Sequence, residues 1–433
     1  MNKSPRGMRR AAAAAIACAA LTMSACAGTG EPAANGPVDL VMAVWTTNDK
    51  HLAVFDEIAD AYIAEHGDEV SSITFQPLAG TYLTTLTTQI AGGSTPDLAW
   101  VAEANATEFV ENGVLLDVAD YFKNSEDFDI ADVVPSSLEL WSNGDGIYAY
   151  PFSTSPFGVF VNRDLVAAAG QPQPADLLAE GKWTWDAAAE IAAATAAATP
   201  GTGPIVIGTA PDKQWDGLTT VWAGWGAAPW DAAGTTCTFD STEMTDAVSW
   251  YHDQMYSASA FAKPGETFSF GSGGSAMLIA QMSSSGGIDE SMNWDFLPLP
   301  AGPAGQTDVV GQAAIGVIAK SAHPEAAANF LTYFTGAQNA AKLAQFFPAP
   351  RTSLLTVETL QQAAPALSPE QIQQTVIDAI PDAITKSNSI IYSQVSPVIQ
   401  TTADALWTPD ADVAQVLSDV CTAIQPALET SAG

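Results

Sequence analysis

The sequence predicts an α/β protein of two lobes, on three observations. Strand-like and helix-like segments alternate along the chain, which is the pattern of mostly parallel sheets flanked by helices. About 400 residues follow the leader, more than one hydrophobic core usually organises. The composition, 47% hydrophobic and 9% aromatic, can fill large cores, whereas a disordered acidic chain would be poor in both classes.

The first 25 residues read as a secretory signal peptide. Lys3, Arg6, Arg9 and Arg10 precede an apolar run from Ala11 to Met23, which ends in Met23-Ser24-Ala25-Cys26. The run is shorter than the roughly 20 residues of a membrane span, and small residues lead into the cysteine. This junction resembles a bacterial lipobox, which makes Cys26 a lipidated first residue of the mature chain; an ordinary cleaved signal is the alternative. Residues 26–37 are polar and carry Gly and Pro, which suits a tether. No later segment approaches 18 uninterrupted apolar residues.

Asp39 to Trp45 is a nearly continuous apolar run and predicts a buried first strand. Asn48 or Asp49 can cap the next helix, where Leu52, Phe55, Ala59, Tyr62 and Ile63 recur on one face until Gly67. A strand follows at Ile73 to Gln76. A second helix carries Leu83, Leu86 and Ile90 and stops at Gly92-Gly93, after which Pro96 to Trp100 opens a third strand. Further strands are predicted at Phe157 to Val161, Pro204 to Gly208, Asp295 to Leu297 and Ala313 to Ile318. Asp240-Ser241-Thr242-Glu243 and Ser368-Pro369-Glu370-Gln371 look like capping-box helix starts, and the alanine run from 187 to 198 reads as a helix. No repeat of fixed period is present.

Charge narrows the choice of partners. The net charge is −34, and the mature part is more acidic still once the basic leader is removed. Nucleic acid is therefore excluded as a partner. Arg163 and Arg351 are the only arginines beyond the leader, so bidentate capture of an anion has few candidates and an uncharged ligand is favoured. Beyond the leader and Cys26 two cysteines remain, Cys237 and Cys421, which either pair as one disulfide or stay as separate buried thiols. No Cys-x-x-Cys occurs, and His51, His66, His252 and His323 lack ligand spacing, so neither metal nor cofactor is expected.

Seven fragments stand in an order that resembles the family 1 extracellular solute-binding proteins of ABC importers, above all the carbohydrate-binding members. They are Ile90-Ala91-Gly92-Gly93; Thr95-Pro96-Asp97-Leu98; Glu111-Asn112-Gly113-Val114-Leu115-Leu116-Asp117; Ile147-Tyr148-Ala149-Tyr150-Pro151; Val159-Phe160-Val161-Asn162-Arg163-Asp164-Leu165 with Ala169-Gly170; Trp183-Thr184-Trp185-Asp186; and Leu297-Pro298-Leu299-Pro300 with Gly302-Pro303. Arg163 and Val161 depart from the Lys and Tyr usual in that segment. The resemblance implies a two-lobed periplasmic-binding-protein-like fold (type II), hinge-connected, with the ligand cleft between the lobes. It implies one lobe from residues 38–152 and 309–345 and another from 153–308 and 346–433. It further implies a monomer on the extracellular face of the membrane, held by its lipid anchor, that hands ligand to the permease transmembrane subunits.

A sugar offers apolar C–H faces and polar edges, so its site needs flat aromatic rings beside amides and carboxylates. Of twelve tryptophans, Trp222, Trp225 and Trp230 lie among glycines and a proline that loosen the chain, and Trp45 ends the first strand ahead of Asn48. Tyr82, Glu103, Ser155, Gln281, Gln312 and Arg351 complete the candidates; Trp250, Trp183 and Trp185 read as core or bracing residues. A polyamine held by cation–π contacts is an alternative ligand. No hydrolase elbow, zinc-protease, phosphate-loop or dinucleotide motif is present. A glycosidase needs only two carboxylates placed by the fold, and 48 acids leave that class open.

Overall fold

The computed structural model describes residues 36–79, 81–208 and 215–431; the leader and Cys26 lie outside them. Residues 37–433 form one compact unit. The strands, in chain order, are β1 (Val38–Val44), β2 (Val70–Pro77), β3 (Leu98–Ala102), β4 (Ser142–Asn143), β5 (Gly146–Ile147), β6 (Tyr150–Asn162), β7 (Gly203–Ile207), β8 (Ser275–Gln281), β9 (Trp294–Pro298), β10 (Val309–Val317) and β11 (Ile384–Thr385).

Apart from the β4–β5 hairpin they join one sheet in the order β2-β1-β3-β10-β6-β8-β7, with β11 beside β10 and β9 beside β6. The expectation of mostly parallel sheets is corrected. The pairs β1–β2, β1–β3, β7–β8 and β10–β11 are parallel, but β3–β10, β10–β6, β6–β8 and β6–β9 are antiparallel. The cause is the pair β6 and β10, which run against each other and against β3, β8 and β9 as the chain passes between lobes. The amino half of β6 pairs with β10 and its carboxyl half with β8 and β9. The β6–β10 register slips between Ala313 and Ile315.

Local signals account for the helices that frame the first lobe. Helix Asp49–His66 starts at Asn48, whose side chain accepts from Lys50 N, and ends at Gly67. Helix Tyr82–Gly92 ends at Gly93, whose φ of 75° is left-handed and suits glycine alone. Ser368 and Gln371 form a complete capping box, while Ser241 caps its helix without the reciprocal half because the third position is Met244. Strand β8 was not predicted.

The core is divided. Clusters around Phe55, Trp100 and Phe330, and around Leu86 and Trp141, draw on residues up to Phe152 and on 313–347. Clusters around Trp185, Trp222 and Ile424, and around Phe160 and Phe296, draw almost wholly on later residues. Cys237 and Cys421 are joined in a disulfide (Cα–Cα 5.4 Å), which fastens the terminal helix Val413–Ser431 to the second lobe. No helix among the described residues is long and apolar enough to cross a membrane.

Candidate binding cleft

Four strands deliver their carboxyl ends to one place. Trp45 follows β1, Glu103 follows β3, Gly208 follows β7 and Gln281 ends β8, and all four line a hollow of about 540 Å³ beside the hinge strands. Strand carboxyl ends are where α/β sheets present loops and free backbone groups to ligands.

One wall of this hollow is aromatic. The Trp45 ring meets Trp100 edge-on at 4.9 Å and Tyr82 at 5.3 Å; Trp100 packs on Phe152 at 4.6 Å and Phe347 at 5.9 Å. Trp45 is 40% exposed, unusual for so large an apolar side chain. Tyr82 stays outside the lining and braces it: its hydroxyl is shared between the Ala43 and Trp100 carbonyls at 3.0 and 2.9 Å. Burial holds the Tyr82 phenol well above its ordinary pKa.

The polar wall comes from the hinge and the second lobe. Gln281 lies over Gly311, where any Cβ would collide with the Gln281 amide. Gln312 lines the hollow but is 4% exposed. Its amide oxygen accepts from Trp141 Nε1 (2.9 Å) and its nitrogen donates to Ser137 O (3.3 Å) and Thr154 Oγ1 (3.4 Å), so it serves the hinge and is corrected from ligand contact to positioning residue. Ser155, fully buried, accepts from Ser283 N (3.3 Å) and holds the Ser283–Ser284 turn at the rim.

Lys386 is the charged centre of the cleft. Its Nζ lies 3.1 Å from Glu103 Oε1 and 3.4 Å from Asp216 Oδ2, and the Tyr392 hydroxyl donates to Asp216 Oδ2 at 3.2 Å. Burial alone would lower the Lys386 pKa; the charges of Glu103 and Asp216 outweigh it and hold the ammonium above its ordinary value.

Lys386 also lines a second hollow, of about 590 Å³, with Trp222, Trp230, Thr107 and Asn388. Thr107 Oγ1 donates to Asn388 Oδ1 at 2.6 Å, joining the first-lobe helix Ala106–Glu111 to the segment after β11. The other predicted residues fall elsewhere. Asn48 is an exposed helix cap, and Trp225 packs at a tilt against Trp250, ring centroids 5.0 Å apart. Trp222 is 2% exposed, its ring against Trp215 and Phe239, so packing outweighs contact.

Arg351 is corrected outright: it is wholly buried in the first lobe, giving hydrogen bonds to the Phe128 (2.7 Å), Thr335 (2.9 Å) and Asp129 (3.1 Å) carbonyls and pairing with Asp132 at 3.5 Å. A larger hollow of about 950 Å³ lies within the second lobe around Arg163 and Asp295. It receives neither a first-lobe residue nor any predicted site residue. No metal-binding group of His, Cys, Asp or Glu occurs among the described residues.

A model of bacterial extracellular solute-binding proteins matches residues 46–341. The structure is similar to an ABC substrate-binding protein of Listeria monocytogenes in complex with cycloalternan, at 21% identity and a TM-score of 0.77, covering 90% of this chain and 99% of that one. It is similar also to maltose-bound MalE3 of T. maritima (20%, TM-score 0.73, 91% and 100% covered). A third similar structure is UgpB of Mycobacterium tuberculosis in complex with glycerophosphocholine (19%, 0.73, 92% and 100%). At these identities the likeness is one of fold. No curated protein sequence gives a significant match.

Proposed function

The chain belongs to the bacterial extracellular solute-binding protein family, and from that premise we propose that it captures a neutral sugar or oligosaccharide and delivers it to the transmembrane subunits of an ABC importer. The observation that carries the ligand class is the aromatic wall of Trp45, Trp100, Phe152 and Phe347 facing Gln281 and the Ser283–Ser284 turn. Rings take the C–H faces of a pyranose while amide, hydroxyl and backbone groups take its edges. The cycloalternan and maltose bound by two similar proteins support the same class.

The lobes are residues 38–152 with 309–345 and residues 153–308 with 346–433, except that the start of the last segment, from Phe347 to Arg351, packs in the first lobe. Closure bends β6 and β10, ligand favours the closed form, and the permease reads that form. The ligand leaves unchanged, because the site works by shape and hydrogen bonding. A lipid on Cys26 and the 26–37 tether hold the protein, as a monomer, on the outer face of the membrane. A cationic ligand such as a polyamine is the second reading, supported by the Glu103 carboxylate in the same hollow as the exposed Trp45 ring.

The test is thermal unfolding against neutral oligosaccharides, polyamines and glycerol phosphate, since a ligand of the native state raises the midpoint by mass action. A saturable rise with a sugar that is recovered uncleaved supports the proposal. A rise with polyamines alone moves the assignment to the second reading, and a hydrolysed sugar overturns the receptor role.

A further inference from the structure

Beyond Lys386 lies the second hollow, and four observations relate the two spaces. Lys386 lines both. Both hollows draw walls from both lobes: Glu103 and Trp45 face Gln281 in the first, Thr107 faces Trp230 in the second. Three large apolar side chains stand exposed among the described residues, Trp45, Ile384 and Val398; Trp45 lines the first hollow and Ile384, 42% exposed, the second. Trp230 is half-buried in the second hollow, with its ring 6.1 Å from Trp215. Each hollow therefore offers an apolar surface with polar groups beside it, and a charged side chain stands between them.

We infer that the two hollows are the two ends of one groove, and that its ligand is an oligosaccharide long enough to pass over Lys386. This rests on the carbohydrate reading above and adds the length of the ligand. One end of the chain lies on the Trp45 wall and the other on Trp230 and Ile384. Lys386 has three N–H donors. Glu103 and Asp216 engage the ammonium at 3.1 and 3.4 Å, which fixes its direction and leaves a donor for a sugar hydroxyl at the middle of the chain. Each hollow alone falls within the roughly 300–1,000 Å³ of a small-molecule site, so a short sugar can occupy the first without reaching the second. A longer one gains the contacts of both.

The test is calorimetric titration of the full chain with two neutral series, glucose, maltose and maltohexaose, and xylose, xylobiose and xylohexaose. In the series that binds, the hexasaccharide should bind at least about tenfold tighter than the disaccharide, the effect of one further well-packed contact. Trp230→Ala and Ile384→Ser should abolish that gain and leave disaccharide affinity unchanged, while Trp230→Phe, which keeps a ring, retains it. Trp45→Ala should weaken both sugars. Melting curves of each variant establish that it is folded.

Equal affinity for the two lengths, or a gain that survives both Trp230→Ala and Ile384→Ser, overturns the single groove while the sugar reading stands. If no sugar in either series gives heat, the sugar reading falls and this inference falls with it.

Discussion

Arg351 and Lys386 are both buried cations beside carboxylates, and their surroundings are opposite in kind. Arg351 gives its guanidinium to three main-chain carbonyls and Asp132, and it stacks over Phe128 (4.9 Å) and Tyr150 (5.5 Å). All these partners lie in the first lobe, and the residue reaches neither hollow of the cleft. Lys386 engages two carboxylates from different lobes and borders both hollows. A planar fork that saturates carbonyls is a brace, while a point charge held by acids at the edge of a hollow keeps a donor for a ligand. Burial alone does not separate the two; the partners do.

The largest effect that can break this comparison is on stability. Arg351→Met should cost about 3–5 kcal/mol in urea unfolding, because it removes the ion pair of Asp132 and the guanidinium donors to the Phe128 and Thr335 carbonyls. Ligand affinity of the folded protein should be unchanged. A loss of affinity with stability intact would make Arg351 a site residue after all. The second lobe has its own brace in the Cys237–Cys421 bridge, whose ends are 184 residues apart. The double substitution Cys237→Ser with Cys421→Ser should cost about 2–5 kcal/mol, again without touching affinity.

At the cleft the order reverses. Trp45→Ala should weaken sugar binding by about 2 kcal/mol, roughly 30-fold, with little change in melting temperature, since the ring is already 40% exposed. Lys386→Met should lower affinity about tenfold, the worth of a hydrogen bond from a charged donor, and, because it leaves the buried Glu103 and Asp216 without their cation, should also cost stability. Unchanged affinity in folded Lys386→Met would erase the distinction.

The smallest effect is on pH dependence. His51 packs against Phe346 and Phe347 at 4.6 and 4.9 Å, and burial lowers its pKa. The unfolded chain then binds the proton more readily, so stability is fully present above about pH 6.5 and is lost as pH falls through the lowered native value. His51→Phe should reduce the drop in melting temperature between about pH 7.5 and pH 5.5; an unchanged drop would place the acid sensitivity elsewhere.

Much of this was legible in the sequence where a local rule acts. Asn48, Gly67, Gly93 and Ser368 bound their helices as local chemistry dictates. Trp45, Glu103 and Gln281 reach the first hollow. Trp45 ends the first predicted strand and Glu103 lies just past the third. Strand β8 was missed because Ser and Gly crowd both of its flanks, the composition of a loop. Trp100 and Phe152 sit inside apolar strands and read as core; their place on the wall depends on which strands become neighbours. Lys386 lies in an unpatterned stretch, and its one signal was scarcity, a lysine among nine in a chain of 48 acids. Antiparallel pairing at β6 and β10 depends on the route of the chain between lobes, which periodicity does not encode.

That route has a mechanical consequence. Since β6 and β10 stay hydrogen-bonded to each other and to strands on either side, the lobes are connected through one continuous sheet. A joint of this kind behaves as a torsion bar: rotation of one lobe is stored as added twist in the ladder, and the ladder supplies a restoring force. A bulge is where a ladder is interrupted and twist concentrates, so the slip between Ala313 and Ile315 sets the softest point of the bar. It lies one strand residue from Gln312, at the floor of the cleft.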